Sequence, residues 1–187
     1  MYQICVSGAA KGHTVEEGKR LAETTGIAIA KSGHVLMTGA TTGLPHISAN
    51  AYKQHGGTMS VGISPASSKI EHVMKYRLPT KPYDVIIYTG MHYVGRDTFL
   101  INSSDAVISI GGRLGTLHEA MIAIETDTPI GFLQGAGGTG EDILTILKSA
   151  GREADEGILF GDDAQQLLDQ LVKLLDNENH KYMDLYE

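Results

Sequence analysis

Short apolar runs along the chain alternate with longer stretches in which apolar residues recur at helical spacing, and glycines mark most of the junctions. Residues 2–8, "YQICVSG", form the first run of strand type. In residues 13–33, Val15, Leu21, Ala22, Ile27 and Ala30 share one face of a predicted helix that stops near Gly33. The pattern then repeats. "HVLMTGATTG" (34–43) runs from strand to glycine, and "LPHISANAYKQHGG" supplies a helix and its glycine stop. "TMSVGISP" (58–65) is a third strand, ended by Pro65, and "YDVIIYTG" (83–90) a fourth, followed by a short helix in "GRDTFLINSS". "DAVISIGG" (105–112) is the clearest strand. A helix near 115–126, a strand at 129–135, a helix near 139–150, a short "GILFG" strand and a helix over 162–176 follow.

Continuous apolar strands alternating with helices predict a parallel sheet covered on both faces. The expected class is α/β: one doubly wound, mainly parallel Rossmann-like sheet with helices on both faces. Residues 1–176 read as a single domain, without linker, repeat or low-complexity segment, and 177–187 as a C-terminal tail. Three strands end in glycine, at Gly8, Gly39 and Gly111/Gly112. Right-handed crossovers put strand 1 beside strand 105–110 where the strand order reverses, the place where ligands bind in open parallel sheets. Ser7–Ala10 and Gly111–Thr116 then face each other across one crevice, with Gly39–Gly43 as its wall.

Composition narrows what such a crevice can hold. The formal charge of −7, with aromatics at 6% and no Trp, opposes nucleic-acid binding as the main task. Cys5 lies inside the first apolar run and reads as a small buried hydrophobe. No basic flank precedes an apolar stretch, and no run approaches the ~20 residues of a membrane span. The expected setting is the cytoplasm. His13, His34, His46, His92 and His118 follow no metal-ligand spacing, so no metal site is expected.

The glycine loops are of neither common nucleotide-binding type. GxxxxGK[ST] is absent, and strand 1 lacks GxGxxG. Strand 2 also ends "VLMTGA", without an acid for a ribose 2′-hydroxyl. "IGGRLGTLHE" (110–119) instead offers free backbone N–H groups before a helix, with Arg113 as an added fork of donors, which suits a phosphate. The same stretch reads as a capping box, with Thr116 at the N-cap and Glu119 at the third helical position. A Glu in the first turn would stay ionised at neutral pH, as a base requires. Thr139 and Glu141 in "GAGGTGED" read as caps of the next helix, and "GREADEGIL" as a charged surface turn.

"GGRLGTLHEA" resembles the PGGxGTxxE signature of the Lonely Guy proteins, long labelled lysine decarboxylase-like, within the SLOG Rossmann superfamily. Residues 35–65 are similar to that family's strand–GGG–helix–GG–strand segment, and "GMHYVGRDTFLINSSDAVISIGG" (90–112) to its Met-His-x-Arg-Lys helix. Ile110 stands for the signature Pro, Gly39-Ala40-Thr41 for GGG, and Arg96-Asp97 for Arg-Lys, which looks closer to the branch containing molybdenum-cofactor carrier proteins. The resemblance implies a nucleoside 5′-monophosphate-like ligand and no required cofactor. It implies Arg96 and Glu119 as catalytic residues for hydrolysis of an N-glycosidic bond to base and ribose 5-phosphate. It places the phosphate on Gly111, Gly112, Arg113, Leu114, Gly115 and Thr116, and the sugar and base near Ser7, Gly8, Gly39, Thr42, Gly43 and Met91. Lys11 is a further cation for the phosphate, and His92 and His118 fall within the matched motifs. The alternative is a non-catalytic carrier using the same pocket; a DNA-processing module is disfavoured by charge. The resemblance also implies a homodimer or larger homo-oligomer.

Overall fold

The computed structural model describes residues 1–138, 140 and 142–180. The elements in chain order are β1 (Gln3–Gly8), α1 (His13–Lys31), β2 (Val35–Thr38), α2 (Leu44–Gln54), β3 (Ser60–Ser64), α3 (Lys69–Met74) and β4 (Val85–Tyr88). They continue as α4 (His92–Asn102), β5 (Ala106–Ile110), α5 (Leu114–Glu125), β6 (Ile130–Leu133), α6 (Ile143–Ser149), β7 (Ile158–Gly161) and α7 (Ala164–His180). The seven strands make one parallel sheet in the order β4-β3-β2-β1-β5-β6-β7. The chain winds outward from β1 to β4, returns to β5 beside β1, and winds out the other way, as the apolar rhythm predicts. Cα partners Ser7↔Ser109 and Gly8↔Ile110 bring the two glycine turns level at the reversal.

Alternate strand residues serve opposite faces. Ile4, Val6, Ile108 and Ile110 join the core with Leu36, Ile29 and Leu44, against α1, α2 and α7. Cys5 and Val107 join the other, with Leu100, Ile101, Ala120 and Ile143 from α4, α5 and α6. Ile108 and Ile110 are fully buried, and burial of such a side chain contributes roughly 1.5–3 kcal/mol each. Ser7 and Ser109 continue the Cys5 and Val107 face at the strand ends, so there the core turns polar beneath α4 and α5.

Several boundaries differ from the sequence expectation. Helix α3 was not expected: Ile70, Val73 and Met74 are exposed, so it has no buried apolar face to give a periodic signal. Its local signal is a cap, with the Glu71 N–H donating to Ser68 Oγ at 3.2 Å. Helix α4 begins at His92, earlier than Gly95, because its first turn presents exposed Tyr93 and Val94 instead of core residues. Helix α7 continues through His180, beyond the expected 176. Thr139 and Glu141, expected as caps of α6, lie outside the described residues.

The capping box is a correction. Helix α5 starts at Leu114 with Arg113 at the N-cap, and no side chain caps it. Thr116 is therefore inside the first turn and Glu119 in the second. The cause is the close fit of Thr116 to Gly112: a β-carbon on Gly112, whose φ is +98°, would lie 2.1 Å from Thr116 Oγ1. The tight turn lets the helix begin before Thr116.

Candidate functional site

Beyond the carboxyl ends of β1, β2 and β5 lies a cavity of about 230 Å³. Three loops and the helices α2, α4 and α5 shape it. The β1–α1 loop contributes Ala9, Ala10 and Lys11, the β2–α2 loop Gly39 and Thr41, the β5–α5 turn Arg113, α2 Pro45, α4 Tyr93, Arg96 and Asp97, and α5 Gly115, Thr116 and Glu119. Backbone contacts lock the first two loops together. The Leu44 N–H donates to Ala9 O at 2.8 Å, and Thr42 Oγ1 donates to Ala10 O at 3.1 Å. Gly43 has no room for a side chain, since a β-carbon there would lie 2.2 Å from Ala9 O. Arg113 spans the crevice: its Nη2 would lie 3.8 Å from a β-carbon on Gly12.

At the back of the cavity sit three buried ionisable groups, Arg96, Asp97 and Glu119. Arg96 is only 4% exposed, a buried guanidinium and not a solvated helix-start arginine. Its Nε is 3.1 Å from Asp97 Oδ1 and its Nη1 is 3.9 Å from Glu119 Oε1. These are ion-pair distances without hydrogen-bond alignment, for Arg96 Nε and Nη1 and Asp97 Oδ1 have no hydrogen-bond partner among the described residues. The Ser7 hydroxyl donates to Glu119 Oε2, and His118 Nδ1 lies 2.8 Å from Asp97 Oδ2.

Burial pushes the Glu119 carboxyl up to about 7; Arg96 and the Ser7 hydroxyl oppose that rise, while Asp97 adds to it. The carboxyl therefore sits near its titration midpoint at neutral pH, which corrects the expectation of a fully ionised Glu119. The first-turn dipole that was to hold it charged acts elsewhere, because Glu119 is one turn further along α5.

Gly39 makes this arrangement possible. A β-carbon there would lie 1.5 Å from Arg96 Nη1, so the guanidinium rests directly on main chain. Gly39→Ala is expected to displace Arg96, lowering stability by about 1–3 kcal/mol through overpacking. Urea denaturation of the two proteins checks this; an unchanged midpoint would mean that Arg96 is not held there.

Of the residues singled out from sequence, Gly8, Gly39, Arg96, Arg113, Gly115, Thr116 and Glu119 line the cavity together. Ser7 lies behind it, bonded to Glu119. Gly111 and Gly112 lie beneath the β6–α6 loop, where a β-carbon on Gly138 would be 2.3 Å from Gly112 O. Leu114 and Met91 are exposed, and Thr42 and Gly43 brace the wall from outside. His92 bonds to Tyr76 rather than lining the cavity. Pro45 and Tyr93 line it without having been expected, beside Ala9, Ala10 and Thr41 of the loops expected to face the crevice. For Tyr93 a signal existed: it is three residues before Arg96, hence on the same face of α4. Among the described residues no group of three His, Cys, Asp or Glu could hold a metal ion, and no helix is long and apolar enough to cross a membrane.

A seven-stranded parallel α/β sheet with a glycine-walled, arginine-backed cavity at its reversal point fits the Rossmann-like class of the sequence signature. The chain belongs to the SLOG cluster4 family, whose sequence profile matches residues 1–167. A relative from Archaeoglobus fulgidus, described as an uncharacterized protein, is 36% identical over 134 residues, 72% of this chain and 81% of that protein. Among solved structures, the structural-genomics target TM1055 has a TM-score of 0.78 at 23% identity, covering 93% of this chain and 99% of that one. The molybdenum cofactor carrier protein of Chlamydomonas reinhardtii has a TM-score of 0.74 at 24% identity, covering 94% and 98%. At these identities the structural likeness carries the fold.

Proposed function

We propose that the chain binds a small, phosphate-bearing ligand of nucleoside-monophosphate type in the cavity at the β1–β5 reversal, and serves as a binding or carrier protein for it. The observation that carries this reading is the buried Arg96 guanidinium at the cavity's back, two of whose N–H-bearing nitrogens lack a hydrogen-bond partner among the described residues. Buried donors left unpaired cost about 1–3 kcal/mol each, more when charged. An acceptor supplied by a ligand would relieve that cost. Lys11 and Arg113, both exposed at the rim, add positive charge suited to a phosphate. The fold shared with a molybdenum cofactor carrier makes a cofactor of that class a reasonable cargo.

Calorimetric titration with adenosine 5′-monophosphate and with adenosine tests the reading. The monophosphate is expected to bind at least about tenfold more tightly, as one charge-assisted hydrogen bond is worth roughly 1.5–3 kcal/mol. Equal affinities would remove the phosphate from the account.

One observation favours a second reading, hydrolysis of the N-glycosidic bond. Glu119 is a carboxyl tuned near neutrality beside a guanidinium, a fitting partner for positive charge developing on a ribose. Free adenine accumulating in that same mixture would favour the enzyme, and intact nucleotide after prolonged incubation the carrier.

A further inference from the structure

The rim of the cavity carries an aromatic ledge as well as charge. We propose that Tyr93 is the stacking platform for a planar heterocyclic ring, which makes the ligand a phosphorylated aromatic heterocycle rather than a sugar phosphate alone. The proposal rests on the reading of the cavity as the binding site.

Tyr93 lines the cavity on the face of α4 that carries Arg96, yet it remains 46% exposed. Its ring meets Tyr76 in a T-shaped contact, with centroids 5.4 Å apart and planes at 82°. Such a contact occupies at most one face of Tyr93 and leaves the other available. Tyr76 is itself held, with its hydroxyl 2.6 Å from His92 Nδ1. The ledge is thus braced by the segment after α3 and by the first turn of α4 before any ligand arrives, so little side-chain freedom is lost on binding.

Size and charge point the same way. At about 230 Å³ the cavity falls below the roughly 300–1,000 Å³ that encloses a drug-sized ligand. A nucleotide-sized molecule placing its phosphate among Lys11, Arg113 and Arg96 would leave its ring at the mouth, where Tyr93 stands. Stacking on a tyrosine face is tolerant of which ring is presented, so the platform defines a class of ligand rather than one base.

The test compares adenosine 5′-monophosphate with ribose 5-phosphate by calorimetry on the parent, Tyr93→Ala and Tyr93→Phe. Tyr93→Ala is expected to weaken the nucleotide roughly 5- to 150-fold and to leave ribose 5-phosphate within about twofold. Tyr93→Phe, which keeps the ring, is expected to retain nucleotide affinity within about twofold. Loss of both ligands alike, loss of neither, or a Tyr93→Phe protein as weak as Tyr93→Ala overturns the stacking role. A parent that binds ribose 5-phosphate as tightly as the nucleotide also overturns it, while the phosphate site stands. A parent that binds neither overturns the stacking role and the binding site together.

Discussion

Arg96→Ala is expected to lower stability by about 3–5 kcal/mol and to abolish measurable binding of phosphate monoesters. Removing the guanidinium leaves Asp97 and Glu119 buried side by side without the cation that now lies 3.1 and 3.9 Å from them, and with only the His118 imidazole beside Asp97 among the described residues. The loss should be smaller at pH 5 than at pH 8, because Glu119 can escape the repulsion by taking a proton. Arg96→Lys separates charge from geometry. It keeps a cation near the two acids but offers a point charge in place of a planar fork. Most of the stability should return, with ligand affinity still depressed by about tenfold or more. Urea denaturation at both pH values, paired with calorimetry, reads these outcomes. An Arg96→Ala protein as stable as its parent would show that the three groups are not energetically linked.

Glu119→Gln should remove a pH dependence rather than simply weaken the fold. The Glu119 carboxyl stands at about 7 against an ordinary 4.5, so the folded protein favours the protonated form. The stability this confers is fully present below about pH 4.5 and is lost as pH rises through about 7. Ionising the group inside the fold costs about 3 kcal/mol. The parent should therefore lose stability relative to Glu119→Gln between pH 4.5 and 7 and run parallel to it above pH 8. Ligand binding should follow the same proton. Neutral Glu119 removes a negative charge from the cavity, so a phosphate monoester should bind more tightly at pH 6.5 than at pH 8. Hydrolysis relying on the carboxylate as base would rise through the same interval instead. Opposite slopes thus distinguish a carrier from an enzyme, and a flat difference between parent and variant would discard the raised carboxyl.

The doubly wound sheet was legible because β1, β2, β5 and β6 are buried on both faces and so are written as continuous apolar runs. The glycines ending β1 and β2, with the pair following β5, gave away the reversal point, because a tight turn at a strand end needs residues without β-carbons. The pairing of Arg96 with Glu119 was legible only through the motif resemblance; nothing in local patterning tells that an arginine three turns from a strand will be buried. The misreading at Thr116 has a different origin. A capping box is a local pattern, and the positive φ of Gly112 started α5 too early for the box to form. Asp97 stands where the family motif has a lysine, yet it is buried between Arg96 on its own helix and His118 of α5, a contact set by the packing of the two helices. Tyr93 is not marked by the apolar pattern, because the first turn of α4 faces away from the core.

The inner wall of the cavity is a mould cast in main chain. A β-carbon at Gly8 would strike Ile110 O at 2.8 Å, and those at Gly39 and Gly43 would strike Arg96 and Ala9. A side chain inserted there has to displace main chain or the Arg96 guanidinium, so reshaping the hollow from this side costs stability. Retuning is freer at the lip, on Lys11, Tyr93 and Arg113, whose side chains are exposed. Libraries built on those three positions should therefore shift ligand preference while the scaffold stays as it is.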